Sequence, residues 1–386
     1  MFLLNMNAIV GLAGMIAALM LTRRWKQNKR ILLLLFNLGF LLVFSHKLFL
    51  FYLVYVALNY AGYLFLGQTA SARRVWFLLL IAANVGAVVA GRFFEYGWSD
   101  SPVLGLFLTL GLLYNFLKVI DAYFFAYFFG KENRASLLDY ANYILFVPTF
   151  TSGPILRFRD FMADTKKPYA VDAALFEESV KRIILGLFKK IVLVAWMSAV
   201  FNYVSAGELT VFHSVFLMVW FYIWIYFDFS GYSDIAIGFG RLMGYTVPEN
   251  FKKPFLSPTL TQYWRNWHAT LGDWFREHIF MFFSRKTPSK LTAAGLSMLI
   301  MVLIGLWHGF TWLYVAWGVY HGALLAIENL TNRSLVNKRK VSKTYFYLRC
   351  LLTQALVTFA VIVYLPSTKT DLILRIYRGL LTLPSF

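Results

Sequence analysis

Six histidines are spread along a chain of 386 residues: His46, His213, His268, His278, His308 and His321. Two of them, His308 and His321, stand within or beside long apolar runs. An imidazole at membrane depth is costly to bury and must find hydrogen-bond partners. Each is therefore either a satisfied structural histidine joining helices or a group that does chemistry. His308 lies in Gly305-Leu-Trp-His-Gly-Phe-Thr-Trp312. Gly305 and Gly309 remove bulk on either side, so another backbone or a slim acyl chain can approach, and Trp307 and Trp312 can wall the space. A neutral histidine in a low-dielectric pocket can take the proton of an attacking hydroxyl and return it to the leaving group, which is general-base catalysis of acyl transfer.

His268, in Tyr263-Trp-Arg-Asn-Trp-His268, has Arg265 and Asn266 beside an aromatic wall. It can orient a substrate or, with Asn266, polarise a thioester carbonyl. His278 has Arg276 and Glu277 as neighbours, and a solvated ring is expected there. His46 and His213 read as interfacial residues at span ends. Asp228 and Asp234 are carboxylates in an apolar stretch and need partners. Arg157, Arg159 and Arg241 are available for buried ion pairs, while a proton-relay role for Asp228 stays open. No histidine pair has metal-ligand spacing and no Gly-x-Ser-x-Gly elbow occurs, so neither a metal centre nor a serine hydrolase is expected.

These residues need a scaffold, and the composition names it. Hydrophobic residues make up 60% of the chain and charged ones 14%, far from the balance of a soluble domain. Apolar runs long enough to cross a bilayer recur at about 7–21, 31–45, 48–66, 75–91, 103–129, 181–204, 211–229, 291–307, 311–328 and 346–365. The expected fold is all-α, a single polytopic membrane domain over 1–386 with about ten transmembrane helices. The net charge of +19 collects between the runs, in Arg23–Arg30, Arg73-Arg74, Lys131 and Arg134, and Arg333–Lys343. That pattern marks cytoplasmic loops and an external N-terminus rather than a nucleic-acid surface. The first run reads as a retained helix, and Cys350 as a packing residue. Tyr140–Pro154 and Gly231–Tyr245 are apolar but short and interrupted by Gly or Pro, as re-entrant segments lining a passage are. Gln262–Phe283 mixes tryptophans with charges and reads as an amphipathic helix at an interface or against the core.

Several segments, in this order, resemble the membrane-bound O-acyltransferase family: Val147-Pro-Thr-Phe-Thr-Ser-Gly-Pro-Ile-Leu-Arg-Phe158, Tyr226-Phe-Asp-Phe-Ser-Gly-Tyr-Ser-Asp-Ile-Ala-Ile-Gly238, Pro248-Glu-Asn-Phe251, Tyr263–His268, Asp273-Trp-Phe-Arg276, Gly305–Gly309 and Tyr320-His-Gly322. They cover residues 140–325, which the resemblance marks as the catalytic core. It implies that His308 is the central catalytic histidine and His268 a second functional or tunnel histidine. Asn266, Trp307, Arg265, Ser152 and Asp228 are then the candidates for substrate binding. It further implies no bound cofactor, but a phosphopantetheine-linked acyl donor on a partner carrier protein at the cytoplasmic side, and a hydroxyl acceptor outside.

The segment Pro148–Pro154 is most similar to the family's branch that esterifies teichoic acids with D-alanine, with an acidic D-alanyl carrier protein as donor. The acceptor is then teichoic acid, a lipid-linked intermediate or a helper peptide, and the location a bacterial plasma membrane. The segment Phe229–Gly238 is closer to the branch that O-acetylates exported polysaccharides such as alginate or peptidoglycan. A transporter or flippase, for which broken helices and buried aspartates are ordinary, is the reading from another class.

Overall fold

A computed structural model describes residues 6–25, 28–69, 71–97, 111–130, 134–283 and 288–383. Residues 103–110 of one expected span, and Lys26 and Lys131 of the basic loops, lie outside them. The chain is helical: α1 (Met6–Leu21), α2 (Asn28–Phe44), α3 (His46–Gln68), α4 (Arg73–Glu95), α5 (Leu112–Phe129), α6 (Leu137–Leu145), α7 (Phe158–Thr165), α8 (Ala173–Leu187), α9 (Val194–Ala206), α10 (Val211–Leu242), α11 (Leu260–Asn266), α12 (Ala269–Phe275), α13 (Met281–Phe283), α14 (Lys290–His308), α15 (Trp312–Leu330), α16 (Lys343–Val361) and α17 (Thr370–Gly379). The π-helical turn Phe188–Leu193 fuses α8 and α9 into one long rod. Among the described residues the extended pairing is a lone bridge between Phe251 and Trp267.

Helices stand at each of the ten expected positions, and among the described residues seven are long and apolar enough to cross a membrane: α3, α4, α5, the α8–α9 rod, α10, α14 and α16 with its continuation to Tyr364. Helix starts follow side-chain chemistry. Ser136, Thr259, Ser289 and Ser342 each accept a hydrogen bond from the backbone N–H three residues on, satisfying a donor that the helix leaves open.

The chain forms two compact units, one of residues 1–184 and 233–248, the other of residues 185–232 and 249–386. In the first, amides join apolar helices. Asn84 donates to Asn59 Oδ1 (2.9 Å), which also accepts from the Tyr123 hydroxyl (2.6 Å), and Asn37 donates to Asn142 (3.2 Å). Such bonds hold helices together where lipid and protein interior are equally apolar. Two cations of the first basic cluster serve the same end. Arg30 grips Asp139 through Nε (2.6 Å) and Nη2 (2.5 Å), and buried Lys29 donates to the carbonyls of Asp164 (2.5 Å) and Gly244 (3.3 Å). They are structural, not loop charges.

The two interrupted segments part company. Tyr140–Pro154 is broken as expected: α6 ends, a 3-10 turn Val147–Thr149 follows, and residues 140–150 are all buried. Gly231–Leu242, by contrast, continues α10 without a break, so the expected re-entrant segment is corrected. Its glycines serve helix contact. A β-carbon on Gly231 would meet the Gly186 carbonyl oxygen at 3.0 Å, and one on Gly238 the Ser179 carbonyl oxygen at 2.8 Å.

A continuous α10 also selects the carboxylate partners. Asp228 pairs with Lys190 of the π-turn, and Asp234 with Arg182 at 2.9 Å. Among the arginines expected there, Arg157 stands 4.0 Å from Asp121 and Arg159 3.3 Å from Asp160.

Candidate active site

In the second unit, α14 and α15 form a hairpin turned by Gly309, Phe310 and Thr311. Glycines bring the two backbones together. A β-carbon on Gly305 would stand 2.3 Å from the Tyr314 carbonyl oxygen, and one on Gly318 would stand 2.7 Å from that of Met301. The space cleared at Gly305 thus admits a backbone, not an acyl chain. His308 is the last residue of α14, and there the hairpin presents it to aromatic rings. Tyr364 meets it edge-on at 4.8 Å between centroids, Trp317 at 6.1 Å, and Tyr314 lies nearly parallel at 5.9 Å.

The segment expected to be one amphipathic helix is instead α11, α12, a π-turn at Arg276–Phe280 and α13. The break falls at His268, whose φ of 45° is left-handed, a conformation costing about 1–2 kcal/mol for a residue with a β-carbon. The neighbouring strand-like residues hold it: Ala269 N–H donates to Asn250 O (2.9 Å) and Lys252 N–H to Asn266 O (2.8 Å). The ring is buried, edge-on to Phe229 at 4.6 Å and to Trp307 at 6.3 Å. Its Nδ1 is 3.0 Å from Asn250 Oδ1, and its Nε2 has no hydrogen-bond partner. Burial first, and the neighbouring His308 second, press the His268 pKa well below the ordinary imidazole range, so the ring is neutral.

A cavity of about 280 Å³ collects these groups. Its walls include His268, His308, His321, Trp264, Trp317, Tyr263, Tyr364 and Arg265, with the Asp273–Arg276 ion pair (2.9 Å) also on the lining. Three buried polar atoms on this wall lack partners: His268 Nε2, His321 Nδ1 and Trp264 Nε1. Buried polar groups are nearly always paired, so three orphans on one cavity mark a place built to meet something polar. His321 stands out in sequence only by its position in an apolar run, which leaves a structural role equally open. Trp264 and Trp317 pack on it at 5.1 and 4.8 Å; the first carries no signal beyond its motif and the second lies outside every motif.

The other expected site residues fall elsewhere. Trp307 backs the site through its ring contacts with His268 and His308 without lining the cavity. Asn266 is committed to Ser257, donating to its Oγ at 3.0 Å. Asp228 is held by Lys190. Ser152 belongs to the first unit, and the cavity lining belongs wholly to the second. His278 is corrected: it is buried, stacked on Trp274 at 4.4 Å, with Nδ1 2.8 Å from the Trp274 carbonyl oxygen. The π-turn swings it inward, away from the charged residues beside it in sequence. His46 and His213 are exposed at helix starts. Among the described residues no group of three or more metal-ligating side chains is found.

Residues 128–346 match the model of the MBOAT, membrane-bound O-acyltransferase family, more than half of the chain and all of the cavity's hairpin. The chain belongs to the membrane-bound O-acyltransferase family. It is therefore a polytopic integral membrane protein, in line with its apolar helices. Within this family it is similar to the protein described as "Probable alginate O-acetylase AlgI" of Pseudomonas fluorescens, 34% identical over 224 residues, 57% of this chain and 45% of the relative. It is also similar to the teichoic acid D-alanyltransferases of Streptococcus thermophilus, 33% identical over 226 residues (54% of each chain), and Bacillus subtilis, 28% identical over 306 residues (75% and 78%). The chain spans about half the length of the alginate acetylases it matches.

Proposed function

We propose that this membrane-bound O-acyltransferase moves D-alanine from a carrier-protein thioester to a hydroxyl of an extracytoplasmic acceptor such as teichoic acid, in a bacterial plasma membrane. The observation that carries the reading is His308, caged by Tyr314, Trp317 and Tyr364 on a cavity that it shares with His268. The rings hold the half-buried His308 against the cavity, and an imidazole fixed beside the reacting groups is suited to proton transfer. In this reaction the acceptor oxygen bonds to the thioester carbonyl carbon while His308 takes the hydroxyl proton. The tetrahedral intermediate then collapses, the C–S bond breaks, and the phosphopantetheine sulfur leaves as a thiol carrying the proton back from His308. One ester forms, one thioester is lost, and no other reactant is required.

The D-alanyl choice rests on length, since the match with the Bacillus subtilis D-alanyltransferase runs through three quarters of both chains and that with the alginate acetylases does not. O-acetylation of an exported polysaccharide is the second reading, favoured by the 34% identity to the alginate acetylase. Family membership counts against a transporter. An acidic carrier protein would be steered to exposed loop cations such as Arg339 and Lys340.

The test is transfer of labelled D-alanine from a loaded carrier protein in membranes bearing wild type or His308→Ala, with a labelled acetyl donor in parallel. D-alanine transfer lost in inserted, folded His308→Ala supports the proposal. Transfer from the acetyl donor alone assigns the second reading, and full activity in His308→Ala removes the mechanism.

A further inference from the structure

Asn250 lies in the stretch before α11 and is wholly buried. Its Oδ1 accepts from the Thr270 hydroxyl at 2.9 Å and from the Thr270 backbone N–H at 3.4 Å. A backbone N–H can only donate, so the atom facing it is the amide oxygen and not the amide nitrogen. His268 Nδ1 approaches this same oxygen at 3.0 Å. The oxygen carries no hydrogen, so Nδ1 must carry one. A neutral imidazole has a single N–H, and the lone pair therefore sits on Nε2, the buried atom with no partner on the cavity wall.

We propose that Asn250 is a positioning residue that fixes His268 as its Nδ1-protonated tautomer, so that His268 meets the substrate as a hydrogen-bond acceptor and not as a donor to a carbonyl oxyanion. The inference rests on the acyl-transfer reading above and revises the role that the sequence allotted to His268 with Asn266, whose amide is spent on Ser257. The matching substrate group is an N–H or O–H near the reacting carbon. Two groups have that chemistry: the ammonium of a D-alanyl donor and the hydroxyl of the acceptor. The left-handed backbone at His268 is consistent with a ring held for orientation, since the Ala269 N–H to Asn250 O bond ties both residues into one rigid turn.

The test has a spectroscopic arm and a kinetic arm, both on the full chain in lipid nanodiscs. With 15N-labelled histidine, the signal lost in His268→Gln is expected to show a protonated Nδ1 and a bare Nε2 in the wild type, and to shift towards the other tautomer in Asn250→Leu. A protonated Nε2, an imidazolium, or an Asn250→Leu spectrum identical to wild type overturns the proposal, whatever the protein's activity. In transfer from D-alanyl pantetheine thioester, Asn250→Leu is expected to lower kcat by about tenfold or more with KM within about threefold, as loss of a group acting in the transition state does. Asn250→Asp, which keeps an oxygen at Nδ1, restores most of it; equal loss in both variants overturns the proposal. Running acetyl pantetheine thioester beside it separates the sources. A loss confined to the D-alanyl thioester assigns the ammonium, equal loss on both assigns the hydroxyl, and loss on the acetyl thioester alone overturns the proposal. Should the wild type transfer from neither thioester, the acyl-transfer reading fails while the tautomer is still decided by the spectrum.

Discussion

Two of the cavities among the described residues of the second unit differ in kind, and the roomier is the less interesting chemically. The one between α10 and α16 has a volume of about 730 Å³ and walls such as Val215, Met218, Ile223 and Leu351. Two of its polar side chains bond to each other and to the backbone: the Tyr222 hydroxyl donates to Gln354 Oε1 at 2.7 Å, and Gln354 Nε2 donates to the Pro254 carbonyl at 3.2 Å. The smaller cavity, about 280 Å³, leaves His268 Nε2, His321 Nδ1 and Trp264 Nε1 without partners and borders His308. Volume marks space that lipid can fill, whereas unpaired buried polar atoms mark free energy held in reserve for a polar ligand.

The sharpest way to break this contrast is His308→Ala, for which transfer is expected to fall by about 1,000-fold or more, as loss of a general base does. The measurement is labelled acyl transfer normalised to inserted, folded protein. Next, Trp264→Phe removes the indole N–H and His321→Phe both ring nitrogens, while each keeps an aromatic ring in place; each is expected to cost about tenfold in kcat. In the larger cavity, Gln354→Met should leave transfer within about twofold, because the two hydrogen bonds it removes contribute to stability and not to chemistry. A loss in Gln354→Met equal to that in Trp264→Phe would erase the distinction.

Helix packing should separate from chemistry in the same manner. Gly305→Ala forces a β-carbon to within 2.3 Å of the Tyr314 carbonyl oxygen, and the overpacking is expected to lower stability by about 1–3 kcal/mol. Gly295→Ala, on the same helix but in open space, should be neutral or stabilising by about 0.5–1 kcal/mol through helix propensity. Unfolding in mild detergent reads both. The smallest effect is on pH dependence. The folded-state pKa of His268 is lowered by burial and by His308, so the unfolded chain binds the extra proton first as pH falls. The stability that His268 contributes is therefore present above its unfolded pKa of about 6.5 and lost on acidification below it. His268→Gln should flatten that part of the stability profile.

His268 and His278, ten residues apart in one segment, show how far the chain could be read without coordinates. Their neighbours in sequence made His268 a candidate and His278 a solvated residue. In the structure both are buried, one with an open Nε2 on a cavity and the other stacked on Trp274 with its Nδ1 engaged. The difference comes from a left-handed residue and a π-turn, which no apolar periodicity reports. Gly231 shows the same limit. A glycine in an apolar run reads equally as a break or as a close helix contact, and only the partner helix at Gly186 decides.

What the sequence determined by itself was the membrane architecture, the family resemblance and the prominence of His308. Long apolar runs have no other stable solution than helices in lipid, and a histidine between glycines and tryptophans at the end of such a run stands out in one dimension. Tertiary structure alone decided who meets whom. Lys190 pairs with Asp228 and Arg182 with Asp234, and Asn250, eighteen residues upstream, orients His268. Hydrogen bonds and ion pairs act over about 3 Å and depend on which faces of separate helices are brought together. That information is stored in packing, at the glycine contacts of α10, α14 and α15, and not in the spacing of residues along the chain.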